Sequence, residues 1–124
     1  MELTILMPCL NEEKTIKICI DKAFKFLKNN NIKGEVLISD NGSTDNSLKI
    51  IKKTKSRVIH VKEKGYGNAI IKGIEASKGK YIIMCDSDDS YDLDKKSKTS
   101  IEKLLEEEKE VIEAVFYYKQ NNLS

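Results

Sequence analysis

The chain has 124 residues, 40% of them hydrophobic and 34% charged, with 22 basic side chains against 20 acidic ones. That size admits one domain with a real core, and a net charge of +2, with lysines spread through every segment, offers no clustered basic face for nucleic acid. No apolar run approaches the length of a membrane span, and the start MELTILMPCLNEE lacks a basic n-region and a long apolar stretch, so neither a spanning helix nor a signal peptide is predicted.

Leu3 to Met7 forms a short apolar run ended by Pro8, the pattern of a buried first strand. Asn11 then precedes a helical pattern that puts Ile16, Cys19, Ile20, Ala23, Phe24 and Leu27 on one face, closed by Asn29-Asn30-Asn31 and Gly34. Glu35 to Asp40 is a second buried strand, broken by the turn signal Asn41-Gly42. Ser43 or Thr44 is placed to cap a second helix carrying Leu48, Ile50 and Ile51 inward. Arg57 to Val61 reads as a third strand, Lys64 to Asn68 as a glycine-rich loop, and Ala69 to Ser77 as a third helix ended by Gly79. Tyr81 to Cys85 makes a fourth strand that runs into Asp86-Ser87-Asp88-Asp89. Strand and helix alternate, and the strands are continuously apolar, so the expected fold class is α/β, a mostly parallel sheet of about four strands covered by helices. From Lys95 the chain becomes Lys- and Glu-rich, with Ile101, Leu104, Leu105, Ile112, Val115 and Phe116 in one stripe, the pattern of a C-terminal amphipathic helix over residues 95–124.

Cys9, Cys19 and Cys85 are an odd number with no CxxC spacing, and Cys19 and Cys85 sit in apolar runs. Small buried thiols in a reducing cytosol are expected, not a disulfide framework. His60, the lone histidine, falls within an apolar strand and reads as structural.

In an open parallel sheet, ligands bind at the carboxyl ends of the strands. Four polar loops fall at such ends: Pro8 to Glu13, Asp40 to Asp45, Lys64 to Asn68 and Asp86 to Asp89. Asp86 and Asp88, one residue apart at a strand end, have the chemistry to hold a hard cation such as Mg²⁺ or Mn²⁺ against the diphosphate of a nucleotide. The competing reading is a solvated acidic turn. Asp40 could accept hydrogen bonds from a base or a ribose, or could make the turn with Asn41-Gly42. Glu12 and Glu13, placed in the first turn of helix one, and Asp45 near helix two could serve the helix dipoles without any ligand. Gly65-Tyr66-Gly67 could bring backbone amides to an anion, with Lys64 beside it, but the run lacks the GxGxxG form and position of a dinucleotide fingerprint.

Thr4 to Glu13, Leu37 to Asp45, Gly65 to Ala69 and Asp86 to Ser90, taken in order, resemble the successive motifs of family 2 glycosyltransferases, nearest the dolichyl-phosphate mannosyltransferase-like branch. The resemblance covers roughly residues 2–92 and implies a Rossmann-like GT-A three-layer sandwich, with residues 1–94 as the nucleotide-sugar-binding part. It implies that Pro8, Leu10, Glu12 and Asp40 line the nucleotide pocket. Asp86-Ser87-Asp88 would form the DxD motif, with Asp86 and Asp88 as metal-binding residues and Mg²⁺ or Mn²⁺ as the cofactor. The implied donor is a GDP- or UDP-sugar, the implied acceptor a polyprenyl phosphate or a glycan, and the implied location the cytoplasm or the inner face of the membrane. Members of that family continue into an acceptor half that supplies the catalytic base; no such base is identified here, and an incomplete catalytic domain is expected. A competing, non-enzymatic expectation is a nucleotide-binding remnant whose terminal helix associates with another chain. A phosphotransferase using Asp86 as nucleophile would want its acidic motif after the first strand instead.

Overall fold

In the computed structural model, residues 1–88 are described. They form strand β1 (Leu3–Cys9), helix α1 (Ile16–Asn29), strand β2 (Gly34–Asp40), helix α2 (Ser47–Lys52), strand β3 (Arg57–His60), helix α3 (Tyr66–Ala76) and strand β4 (Tyr81–Met84). The expected terminal helix over 95–124 and its apolar stripe lie outside the described residues, as do Asp89 and Ser90.

The four strands make one parallel sheet in the order β3-β2-β1-β4. The chain steps outward from β1 to β3, then returns across the sheet to lay β4 on the other side of β1. Alternation along the strands divides the core accordingly. Leu3, Ile5, Met7, Val36, Ile38 and Ile83 share one apolar cluster with Ile16, Ile20, Ala23, Phe26 and Leu27 of α1 and Ile51 of α2. Leu6, Leu37 and Ile82 point to the opposite face, where Ile74 and Ala76 of α3 cover them. Helices therefore lie on both faces, as expected. The first face carries most of the apolar burial; each fully buried Ile, Leu or Phe there contributes roughly 1.5–3 kcal/mol.

α1 buries Ile16, Cys19, Ile20, Ala23, Phe26 and Leu27, so Phe26 takes the core position in place of the predicted Phe24, which packs at its margin. The helix ends because Asn31 turns left-handed at φ 52°. The Asn31 amide then bonds to Lys28 O and the Ile32 amide to Leu27 O, which satisfies the last carbonyls and turns Ile32 onto the core.

Three boundaries differ from the sequence reading in ways that matter for the site. β1 does not end at Pro8 but runs through it to Cys9, paired with β2 throughout. Its pairing with β4 stops at Leu6–Met84. Alternate residues of a strand address alternate neighbours; the carbonyl of Leu6 accepts from Cys85 N on the β4 side, whereas that of Cys9 accepts from Asn41 N on the β2 side. Pro8, two residues after Leu6, therefore directs its missing N–H toward β4, where the ladder has already ended. Glu12 and Glu13 precede α1, which starts at Ile16, so they do not occupy its first turn. α3 starts at Tyr66, three residues before the predicted Ala69, and places Tyr66, Gly67 and Asn68 on a helix; of the predicted loop only Lys64 and Gly65, the latter at φ 122°, stay outside it.

At the amino ends of the strands a polar cluster ties the sheet together. Glu35 accepts from Arg57 Nε at 2.9 Å and Nη2 at 3.1 Å, from Thr4 Oγ1 at 2.8 Å and from the Lys78 amide at 2.8 Å. Arg57 also donates to Ala76 O, and the Gly79 amide donates to Thr4 Oγ1. Cys9, Cys19 and Cys85 are buried, and none of them is in a disulfide among the described residues. No helix among the described residues is long and apolar enough to cross a membrane.

Candidate donor site at the carboxyl edge

The reversal of strand order falls between β1 and β4, so the segments that leave these neighbouring strands diverge and open a crevice above them. A cavity of 280 Å³ occupies it, lined by Pro8, Cys9, Leu10 and Glu12 after β1, Asn41 after β2, Tyr66 and Ala69 of α3, and Asp86, Ser87 and Asp88 after β4. Six of the seven residues singled out in the sequence meet there. The seventh, Asp40, lines an adjoining cavity of 440 Å³ with Gly42, Ser43, His60, Lys62 and Lys64. Leu10, Asn41 and Tyr66 belong to both cavities and form the wall between them.

Side-chain hydrogen bonds link the four loops in a closed ring. Loop one joins loop two through Asn11: its amide donates to Ser43 Oγ, and its side-chain carbonyl accepts from the amides of Thr44 and Asp45 at 2.7 and 3.2 Å. Glu12 N to Ser47 Oγ, Glu13 N to Asp45 Oδ2 and Asn46 N to Glu13 Oε2 extend the same seam. Loop two joins loop three through Asn41, whose Nδ2 donates to Val61 O and Glu63 O while its Oδ1 accepts from Gly65 N. The segment after β3 joins the acidic loop through Tyr66, whose hydroxyl donates to Asp86 Oδ1 at 2.8 Å. The acidic loop returns to the first through Ser87: its hydroxyl donates to Pro8 O at 2.8 Å, and its carbonyl accepts from Thr15 Oγ1 at 2.6 Å.

This ring revises several sequence readings. The Glu13 carboxylate receives the Asn46 amide, so it serves the junction of two loops, not the dipole of α1. Ser43 and Thr44 do not cap α2; Asn46 precedes that helix, and Asp45 accepts the Ser47 amide at 2.9 Å. His60 is exposed at the end of β3, not enclosed in a strand interior. Asn11, Thr15, Asn41 and Tyr66 went unremarked as ring members. Their partners are backbone groups and a carboxylate 20 to 72 residues away, and no local pattern announces such pairs.

Asp40 is 1% exposed, and its carboxylate is occupied by the turn: Oδ2 accepts from the amides of Gly42 and Ser43, and Oδ1 from Ser43 Oγ at 2.6 Å. Burial pushes the Cys9 thiol above its ordinary pKa, and its hydrogen bond with Ser43 offsets this only in part. Cys9 is therefore a neutral wall of the cavity, not a nucleophile.

Three carboxylates, of Glu12, Asp86 and Asp88, line the 280 Å³ cavity, and no lysine or arginine is among its described lining residues. An anionic ligand could settle there only with a cation between. Asp86 is half-buried and Asp88 exposed. Two carboxylates at a cavity mouth fit Mg²⁺ or Mn²⁺, which draw one or two carboxylates from protein and complete their shell from water and phosphate oxygens. Among the described residues no cluster of three or more acidic, cysteine or histidine ligands forms a closed metal cage.

Residues 4–123 match the model of glycosyl transferase family 2. The low-salt glycan biosynthesis hexosyltransferase Agl6 of Haloferax volcanii is 39% identical over 92 residues, covering 74% of this chain and 22% of that protein. The dolichyl-phosphate beta-glucosyltransferase of Homo sapiens is 35% identical over 100 residues, covering 70% and 31%. The chain thus spans between about a fifth and a third of the length of these relatives. Among solved structures, glucosyl-3-phosphoglycerate synthase from Mycobacterium tuberculosis, in complex with Mn²⁺, uridine diphosphate and phosphoglyceric acid, superposes with a TM-score of 0.62 at 26% identity over 69% of this chain and 32% of its own. Mannosyl-3-phosphoglycerate synthase from Rubrobacter xylanophilus shares the fold with a TM-score of 0.65 at 17% identity, over 70% of this chain and 30% of its own. A parallel sheet whose strand order reverses beside an acidic crevice, carried by a chain of which residues 4–123 match the family model, makes this chain a member of glycosyl transferase family 2.

Proposed function

We propose that residues 1–88 hold the nucleotide-sugar donor of a glycosyl transfer reaction, with Mg²⁺ or Mn²⁺ as the cofactor. The observation that carries this reading is the convergence of Glu12, Asp86 and Asp88 on one cavity at the point where the strand order reverses. Asp86 and Asp88 would hold the cation. When bound, it would neutralise the diphosphate and stabilise the charge that develops as the sugar leaves.

The chain's own groups do the rest. Ser87 fixes the acidic loop to β1 through Pro8 O, so the two carboxylates keep a set height above the sheet. Pro8 and Leu10 give the cavity an apolar wall, and Leu10 is 52% exposed at its rim, available to a base or a sugar face. Asp40 acts on the ligand indirectly in this reading, by shaping the turn that carries Asn41 and Gly42 into the wall. The adjoining cavity, with Lys62 and Lys64, is the cationic side of the site. The reaction assigned to the whole protein is attack of an acceptor hydroxyl or lipid phosphate on the sugar C1, with inversion. A uridine or guanosine diphosphate donor and a polyprenyl phosphate or glycan acceptor are the proposed substrates. The named relatives support this, as does the Mn²⁺–uridine diphosphate complex of the mycobacterial synthase.

Thermal unfolding in the presence of UDP- and GDP-sugars, with and without Mn²⁺, tests the proposal. Binding to the native state at a hundredfold excess over Kd stabilises it by about 2.7 kcal/mol. One donor should raise the unfolding temperature in Mn²⁺ and lose that increment in Asp88→Asn. Absence of any donor-dependent shift, or a shift that Asp88→Asn leaves intact, would count against the site.

A further inference from the structure

Tyr66 reaches the acidic loop from outside the motif that defines it. It is the first residue of α3, its side chain is 51% exposed, and it stands in the wall shared by the two cavities. Its hydroxyl donates to Asp86 Oδ1 at 2.8 Å and lies 3.9 Å from the Met84 sulfur.

We infer that Tyr66 is a positioning residue for the Asp86 carboxylate, which it aims at the cation and diphosphate of the donor; the inference rests on the donor-site reading above. A carboxylate at a strand end keeps two soft torsions, and the terminal one is broad. The backbone at Asp86 is already set, since Cys85 N is bonded to Leu6 O and Ser87 is bonded to both Pro8 O and Thr15 Oγ1. What those contacts leave undetermined is the rotation of the carboxylate itself, and a hydrogen bond to Oδ1 fixes the direction of the second oxygen. The donor is neutral, so it orients Asp86 without cancelling the charge a cation needs. A lysine at position 66 would compete with that cation.

The phenol is itself held. Gly65 N donates to Asn41 Oδ1 at 2.9 Å, so the start of α3 is pinned to the turn after β2, and Tyr66 transmits that position to Asp86. A ring placed only for packing would be enclosed. This one leaves half its surface in solvent where the two cavities meet, and a nucleotide that crosses from one to the other must pass it.

Tyr66→Phe removes the hydroxyl and keeps the ring. With the full chain, the Mn²⁺ concentration giving half-maximal binding of UDP or GDP should rise about three- to tenfold, the effect of one partly exposed hydrogen bond to a charged group. Uridine or guanosine binding in EDTA should change far less than the Mn²⁺ requirement does, and the ligand-free unfolding midpoint should fall by no more than the loss of one half-exposed hydrogen bond accounts for. In an Asp86→Asn background, Tyr66→Phe should add nothing to the Mn²⁺ requirement, because the charge that the hydroxyl aims at the cation is already gone. An unchanged Mn²⁺ requirement in Tyr66→Phe, with the wild type Mn²⁺-dependent, would overturn this inference alone. So would an effect that persists undiminished in the Asp86→Asn background, or a lowered ligand-free midpoint with nucleoside binding lost in proportion. Wild-type binding that ignores Mn²⁺ would instead overturn the donor-site reading, and this inference with it.

Discussion

The two edges of the sheet carry polar clusters of similar composition and opposite consequence. At the amino edge, Glu35, Arg57, Thr4 and the amides of Lys78 and Gly79 satisfy one another with no room between them. At the carboxyl edge, Asn11, Asn41, Tyr66 and Ser87 also bond across strands, but they do so around a 280 Å³ space. The difference lies in the backbone. Gly79 lets the chain before β4 press against β1 so closely that an added Cβ would stand 2.4 Å from Thr4 N and 2.5 Å from Leu3 C. Beyond Met84 the same two segments part. Polar residues at a strand end leave room for a ligand only where the backbone withdraws.

The strongest way to break the closed edge is Gly79→Ala. The clash is with backbone, which no side-chain rotation relieves, and overpacking of this kind costs about 3 kcal/mol. Urea unfolding should show that loss; full stability would mean the edge has slack.

Asn41→Ala probes the open edge. It strips a 9% exposed side chain of three hydrogen bonds and leaves Gly65 N and two carbonyls to find water, for about 2 kcal/mol. Amide exchange should quicken selectively over residues 62–66, and uniform quickening would deny the ring its local character.

The smallest effect is a pH dependence at the closed edge. Burial works to raise the Glu35 pKa, but hydrogen bonds from Arg57, the Lys78 amide and Thr4 outweigh it and hold the carboxyl below its ordinary value. The unfolded chain therefore takes up the proton first as pH falls. Glu35 stabilises fully above its unfolded pKa, about 4.3, and loses that contribution as pH drops through its lower folded value. Stability measured by urea between pH 6 and pH 3 should fall less steeply in Glu35→Gln than in the wild type. Equal slopes would place the acid sensitivity elsewhere.

The fold was legible because its signals are local and repeated. Continuous apolar runs at Leu3–Met7, Val36–Ile38 and Tyr81–Cys85, each bounded by turn signals, read as buried strands, and the spacing of Ile16, Ile20, Ala23 and Leu27 as a helix face. The acidic loop was legible too, since carboxylates directly after an apolar strand stand out against it. Pro8 was misplaced because proline breaks a strand wherever the ladder calls for an N–H at its position, and the length of β4, which removes that call, is a fact about another segment. Asn41 and Tyr66 escaped for a related reason. Asn-Gly announces a turn and Gly-Tyr-Gly a flexible loop, so their local meaning hid bonds to residues 24 and 20 positions distant.

Pro8 has a consequence beyond tolerating its place. Parallel strands tend to anneal: one rung formed brings the next within reach, and β1 and β4 lie side by side with apolar flanks. The next rung above Leu6 would require an N–H from residue 8, and proline has none. Its carbonyl, the other half of that rung, is already engaged by the Ser87 hydroxyl. The fork between β1 and β4 is thus wedged open by covalent structure, and the crevice above it does not depend on a ligand to keep the sheet from zipping shut.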